Sequence, residues 1–436
     1  MTLNLSQIDF NEKLFKFLVN SPTPFHVVQT TKKLLDEHGF ESLDESDSWQ
    51  LKPGHKYYVD RNQSSIIAFT VSENLDSSVG FNMVGAHTDS PCLKVKPNPD
   101  RLKSGYFQLG VEVYGGALLN PWFDRDLSIA GRISYENDKG DLQSTLIDFV
   151  EPIAVIPSLA IHLDREANEN RSINKQNHLP PILCLTGKNE NTNFNDIIVR
   201  HVSSNSSELK IKQVLDYELF LYDTQKPSYV GLKKEFMASA RLDNLLSCFT
   251  GLMSLLNSDD SQSNVLVCSD HEEVGSASTS GAQGPFLKSV LERICGTGES
   301  LTRSLHNSVM ISADNAHGIH PNFPDKHDEN HGPIFNQGPV IKFNANQRYA
   351  TNSDTSAMFK SFCQKVDVPV QSFVVRSDMA CGSTIGPITA AELGVNTVDI
   401  GLPTFAMHSI RELAGSSDAY NLHKVLSYFY QKGSGN

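Results

Sequence analysis

One pattern constrains the fold of this chain more than any other: a short apolar run, rich in β-branched residues, that ends in a histidine or a carboxylate. Val265-Leu266-Val267-Cys268 leads into Asp270-His271-Glu272-Glu273. Met83-Val84-Gly85-Ala86 leads into His87 and Asp89, and Val309-Met310-Ile311-Ser312-Ala313 into Asp314. Val398-Asp399-Ile400-Gly401 is followed a few residues on by His408. Short runs of this kind belong in buried, mostly parallel strands. Open α/β sheets bind ligands beyond the carboxyl ends of their strands, so such a layer gathers its chemistry along one edge. Two adjacent carboxylates at the exit of a buried strand are costly unless their charge is used. Their side chains diverge, so Glu272 and Glu273 suit different tasks, one on a metal and one on a proton.

With 436 residues the chain has room for two domains and a sizeable core. Its 39 % apolar and 20 % charged content is that of a soluble globular protein and argues against extensive disorder. A net charge of −13 argues against nucleic acid and anionic membrane as partners. An acidic substrate stays open, because bulk charge is screened beyond about 8 Å and a few local cations dominate a pocket. Seven widely spaced cysteines with no C-x-x-C read as reduced thiols of a cytoplasmic protein. The opening residues, Met1-Thr2-Leu3-Asn4-Leu5-Ser6, lack the basic and apolar regions of a signal peptide, and no apolar stretch is long enough to span a membrane.

Phe10, Leu14, Phe15 and Leu18 fall at helical spacing, Ser21-Pro22-Thr23-Pro24 breaks the pattern, and Val27, Val28, Leu34 and Leu35 mark a second helix. Strand-like runs follow at 65–71 and 79–86. Between about 94 and 234 the texture turns to β-rich pieces (107–114, 127–135 and 214–222), with polar, Asn-rich stretches at 166–177 and 189–195 that read as loops. From about 235 the α/β pattern returns, with a helix over 245–256 and strands at 265–268, 309–311, 370–375 and 398–401. The expected fold is α/β: a catalytic domain over 1–93 and 235–436 with a central, mostly parallel sheet, interrupted by an inserted β-rich domain over 94–234.

Asp243, in Arg241-Leu242-Asp243-Asn244 at a helix start, joins the ligand-type residues. Taken singly, each has an ordinary reading: Asp243 as a helix-capping acid, His87 and His408 as packed core histidines, Asp314 as a loop acid, Glu272-Glu273 as a solvated helix start. Together, two histidines and three carboxylates suit one or two zinc ions, or cobalt or manganese, better than magnesium or calcium. A pair of ions about 3.5–4 Å apart needs a bridging carboxylate, for which Asp243 is the candidate. Asp89, two residues from His87, is placed to orient its ring.

At these residues the chain resembles the aspartyl aminopeptidase family of co-catalytic zinc exopeptidases, over nearly its whole length. The resemblance includes Ser21-Pro22-Thr23-Pro24-Phe25-His26, Ala86-His87-Thr88-Asp89-Ser90-Pro91, Asn120-Pro121-Trp122-Phe123-Asp124-Arg125-Asp126-Leu127 and Ala240-Arg241-Leu242-Asp243-Asn244. It continues through His271-Glu272-Glu273-Val274-Gly275-Ser276, Ala313-Asp314-Asn315-Ala316-His317, Gln347-Arg348-Tyr349-Ala350-Thr351 and Ala406-Met407-His408-Ser409-Ile410-Arg411-Glu412. It implies two zinc ions, one on His87 and Asp314, the other on Glu273 and His408, bridged by Asp243. Glu272 would be the general base, with Asp89 orienting His87. It further implies a cis peptide after Asp243, an inserted domain used in subunit contacts, and assembly from dimers to dodecamers. Substrates would be peptides with a free, preferably acidic N-terminal residue. Lys342 would hold its side-chain carboxylate, with His317 lining the same pocket, and His162 would reach a neighbouring subunit's site. Two other readings use the same residues: a zinc deacylase or carboxypeptidase on this scaffold, which N-acetylated substrates would distinguish, and a non-catalytic self-assembling shell or cargo protein.

Overall fold

The computed structural model describes residues 4–73, 80–187, 192–205, 209–258 and 262–433. Met1 to Leu3, the expected strand start at Val79 and positions 189–191 of the second Asn-rich stretch lie outside the described residues. The chain divides into two compact units, one of residues 1–89, 227–407 and 412–436, the other of 90–226 and 408–411. The changes of texture in the sequence fall a few residues later, at 93/94 and 234/235, and give no sign that 408–411 belongs with the second unit.

The first unit is built on a mixed sheet of nine strands among the described residues. Its centre is four parallel neighbours, in the order Asn264–Ser269, Asn82–His87, Val309–Ala313 and Asn396–Gly401. Ser65–Thr70 and then Lys56–Arg61 extend one side by antiparallel pairing. On the other side Val340–Phe343 pairs antiparallel with Asn396–Gly401, and Gln371–Val374 lies outermost, parallel to Val340–Phe343. The run 370–375, expected with the parallel core, is therefore an edge strand running against it. With one neighbour among the described strands, it buries Phe373 alone among its four residues.

Alternation along the central strands explains the two apolar layers. Val84, Leu266, Cys268, Ile311, Val398 and Ile400 share a core with the helices Leu5–Val19, Leu242–Leu256 and Asp418–Lys432. Met83, Val265, Val267 and Met310 face the other way, against Phe286–Cys295 and Glu299–His306. The first helix starts at an Asn4–Gln7 capping box, and the second, Pro24–Glu37, has Pro24 in its first turn, where the missing N–H costs no hydrogen bond. A smaller sheet that the sequence reading does not anticipate runs in the order Ser228–Val230, Phe236–Ser239, Glu412–Gly415, Pro403–Phe405 and Ala316–His317. No described helix is long and apolar enough to cross a membrane, and all seven cysteines are free thiols.

The second unit is an antiparallel sheet of six described strands: Leu142–Asp148, Leu127–Asn137, Ile211–Asp223, Cys92–Lys103, Tyr106–Tyr114 and Ile182–Leu185. The helix Phe194–Asn205 covers it through Phe194, Ile198 and Val202. The stretch 189–195, expected as loop, thus runs into a helix. Asn193 starts it by accepting the N–H groups of Asn195 and Asp196 at 2.8 and 3.3 Å.

Candidate active site

His87 ends the central strand Asn82–His87 and is 1 % exposed. Asn264–Ser269 and Val309–Ala313, which follow one another in the first unit, lie on opposite sides of it. The order of winding reverses there, which is where an open sheet leaves a crevice at its carboxyl edge. Asp314 follows Val309–Ala313 directly. Glu272 and Glu273 stand on a single 3-10 turn after Asn264–Ser269, entered through left-handed His271 (φ 64°). Asp243 enters its helix through left-handed Arg241 (φ 60°), and the Asp243–Asn244 peptide is cis, as the resemblance implies.

These turns bring His87, Asp89, Asp243, Glu272, Glu273 and Asp314 together. His87 Nε2 lies 3.4 Å from Asp243 Oδ1, 3.5 Å from Asp314 Oδ1 and 3.9 Å from Glu272 Oε2. A charge-assisted hydrogen bond would be shorter, about 2.7–2.9 Å. Atoms about 2.0–2.2 Å from a tetrahedral zinc ion stand about 3.3–3.5 Å from one another, and the two aspartates match that spacing. Ligand atoms of His87, Asp243 and Asp314 lie within 4.8 Å of one another, as do those of His87, Glu272 and Glu273. Nitrogen and carboxylate donors, buried and convergent, fit a zinc-type ion. His87 Nδ1 lies 3.1 Å from the Asp89 carbonyl oxygen and 3.3 Å from its Oδ1. That contact assigns the ring proton to Nδ1 and leaves Nε2 as the ligand.

The electrostatics are those of several acids crowded around one buried imidazole. Burial opposes a charged His87, yet Asp243, Asp314 and Asp89 together hold its pKa well above the usual imidazole value. Burial raises the Glu272 carboxyl to about 7, reinforced by Asp314, Asp243 and Asp89 and opposed by His87. Burial, and next the Asp243 charge, pushes Glu273 well above the carboxylate range. A divalent cation among these groups would reverse the balance and favour their ionised forms.

The remaining candidates fall in different places. Lys342 is buried in Val340–Phe343, with Nζ 3.5 Å from Asp314 Oδ2 and 5.4 Å from the centre of the Tyr349 ring. The ring of His317 is solvent-accessible, but surrounding protein and then Lys342 lower its pKa below the usual value. It opens onto a cleft lined by His320, Lys326, His327, Phe373 and Arg376. His162 is exposed in the second unit, on a turn with the exposed side chains of Leu159, Ile161 and Leu163. His408 belongs to the 408–411 segment of that unit, and its Nδ1 lies 3.3 Å from the Gly116 carbonyl oxygen. As at His87, a proton on Nδ1 leaves Nε2 for a ligand.

Sequence reasoning missed several residues that hold this cluster in place. Cys248 Sγ donates to the His87 carbonyl at 3.0 Å, Asn244 Nδ2 to the Ala313 carbonyl at 2.9 Å, and the Asp243 N–H to Glu412 Oε2 at 2.9 Å. Their only signal is a polar residue inside an apolar helix or beside a ligand.

Comparison with known proteins bears on the same residues. The family described as "Aminopeptidase I zinc metalloprotease (M18)" matches residues 17–430. A "Probable M18 family aminopeptidase 2" of Ectopseudomonas mendocina (strain ymp) is 59 % identical over 417 residues, covering 96 % of this chain and 97 % of that protein. The protein of the same name from Pseudomonas putida (strain GB-1) is 58 % identical over 421 residues, covering 97 % and 98 %. Among solved structures, the chain in the cryo-EM structure of the Ape4 and Nbr1 complex superposes with a TM-score of 0.95 at 39 % identity, over all of this chain and 88 % of that one. A chain of the S. cerevisiae mApe1 dodecamer structure superposes with a TM-score of 0.85 at 29 % identity, over 98 % of this chain and 97 % of that one.

Proposed function

We propose, for a chain that belongs to the M18 family of zinc metalloproteases, removal of single, preferably acidic, N-terminal residues from peptides by a two-metal centre. That it is a metal-dependent aminopeptidase follows from the family. The two ions and the acidic preference are our reading. One observation carries the metal reading of this site: two carboxylate oxygens at zinc-ligand spacing from His87 Nε2, with Glu272 beside them.

His87 and Asp314 would hold one ion, Glu273 and His408 the other, and Asp243 both. Bound ions would supply a water ionised near neutral pH and a polarised scissile carbonyl. Glu272, the carboxylate left over, takes the proton of the attacking water and returns it to the leaving amine. Asp89 keeps the His87 ring in its ligand tautomer. The free α-amino group of the substrate sits among the carboxylates, which restricts cleavage to N-termini. Lys342 supplies the positive side of the pocket for the first side chain, and His317 lines it. Lys342 must serve Asp314 as well, so the substrate carboxylate shares its ammonium. Self-association, for which the mApe1 dodecamer is the precedent among relatives, would let His162 serve a neighbouring subunit's site.

Rates on Asp-, Glu-, Leu- and Lys-anilides test this, before and after chelation and after return of Zn²⁺, Co²⁺ or Mn²⁺. Chelator-sensitive, metal-restored cleavage that favours Asp or Glu and spares N-acetylated anilides is expected. Preference for Leu or Lys would remove the acidic pocket and keep the mechanism, whereas cleavage of only the N-acetylated forms would point to a deacylase. Metal analysis of the active protein expects two ions per chain, and one ion at full activity would sink the bridging role of Asp243.

A further inference from the structure

We propose that Glu412 is a positioning residue of the metal centre, holding Asp243 in place through its main-chain N–H. The inference rests on the reading of Asp243 as a metal ligand. Phe236–Ser239 and Glu412–Gly415 are antiparallel neighbours, with Ser239 paired to Glu412. Beyond Ser239 the chain turns through left-handed Arg241, so that the Asp243 N–H returns to Glu412 Oε2 at 2.9 Å. Glu412 is 2 % exposed and Asp243 3 %. A second buried carboxylate this close to a cluster of acids is costly to ionise, and an apolar strand residue would pack there without that cost. Its presence is explained if it does what an apolar residue cannot, namely accept a charge-assisted hydrogen bond from the backbone of a ligand.

Two further contacts make the turn rigid. The Arg241 guanidinium donates to the Leu18 and Ser21 carbonyls, both at 3.1 Å, which anchors the turn to the end of the first helix. Asn244 Nδ2 donates to the Ala313 carbonyl, one residue before Asp314, and so sets the approach of Asp243 to Asp314. Glu412 thus acts on the one ligand that would face both ions. Partners of this kind fix ligand geometry, and their loss costs metal affinity.

The experiment measures bound Zn²⁺ on the full-length protein across a series of buffered free Zn²⁺ concentrations, for the parent, E412A and E412Q, alongside kcat and KM. E412A is expected to need about 10–100-fold more free Zn²⁺ for half occupancy, with kcat recovering as Zn²⁺ is raised and KM close to the parent. E412Q retains an acceptor oxygen without the charge and should fall between the two. E412Q, the same size as the parent residue, decides the matter if E412A does not fold. Parent-like Zn²⁺ affinity in either folded variant would overturn the proposal. A parent protein that takes up no Zn²⁺ would instead overturn the metal reading, and this inference with it.

Discussion

Both oxygens of the Asp89 carboxylate accept main-chain N–H groups, Oδ1 from Glu272 at 3.1 Å and Oδ2 from Glu273 at 3.0 Å. The residue expected to orient His87 therefore also holds the turn that carries Glu272 and Glu273. The different roles proposed for Glu272 and Glu273 would follow from how this turn aims them, since their chemistry is the same. Replacing Glu272 by Gln keeps the turn and removes the proton acceptor, so kcat should fall by roughly 10²–10⁴-fold with bound metal unchanged. Near-parent kcat in the metal-loaded variant would refute the assignment. His87, Asp89, Asp243, Glu272, Glu273 and Asp314 were all legible in the sequence, because each follows a strand or opens a helix. Glu412 and Asn244 were not, because their partners are backbone groups brought near only by folding.

Leu5–Val19, Pro24–Glu37 and Leu242–Leu256 were legible as helices in the sequence, whereas Asp418–Lys432 was not read there, and its packing on two of them carries a pH dependence that spacing does not reveal. His423, on Asp418–Lys432, stacks on Phe10 with ring centres 4.9 Å apart and has Nδ1 2.9 Å from Ser254 Oγ on Leu242–Leu256. Burial lowers its pKa to about 4. Between that value and the ordinary one of about 6.5 the unfolded chain binds a proton that the folded chain does not. Stability should therefore fall as pH drops through this window, by up to about 3 kcal/mol from this residue. Denaturant unfolding at pH 7, 6, 5 and 4 tests it: H423F should flatten the dependence by one proton, and an unchanged slope would count against the burial argument. Among strands, the four central runs were recognisable because both faces are apolar. The run at 370–375 has the same composition yet lies at the edge, since order within a sheet depends on crossovers that a local window does not contain.

At the scale of the whole chain, His162 gives the sharpest test. If it acts in a neighbouring subunit's site, H162A and E272Q co-assembled in one oligomer should yield sites that combine an intact Glu272 with an intact His162. Co-expression of the two variants should then give activity above either alone, with no gain on mixing assembled homo-oligomers. Activity no higher than the sum of the separate variants would leave His162 with no role between subunits. By itself the sequence determined the α/β class, the β-rich character of the middle of the chain and most of the residues that meet in the candidate site, because apolar period and the residues at strand ends are local properties. Only the tertiary structure decided that 408–411 belongs with the second unit, that Lys342 faces Asp314, and that Glu412 reaches Asp243. Each of those depends on where separate segments meet after the backbone has turned, and no spacing along one segment encodes that meeting.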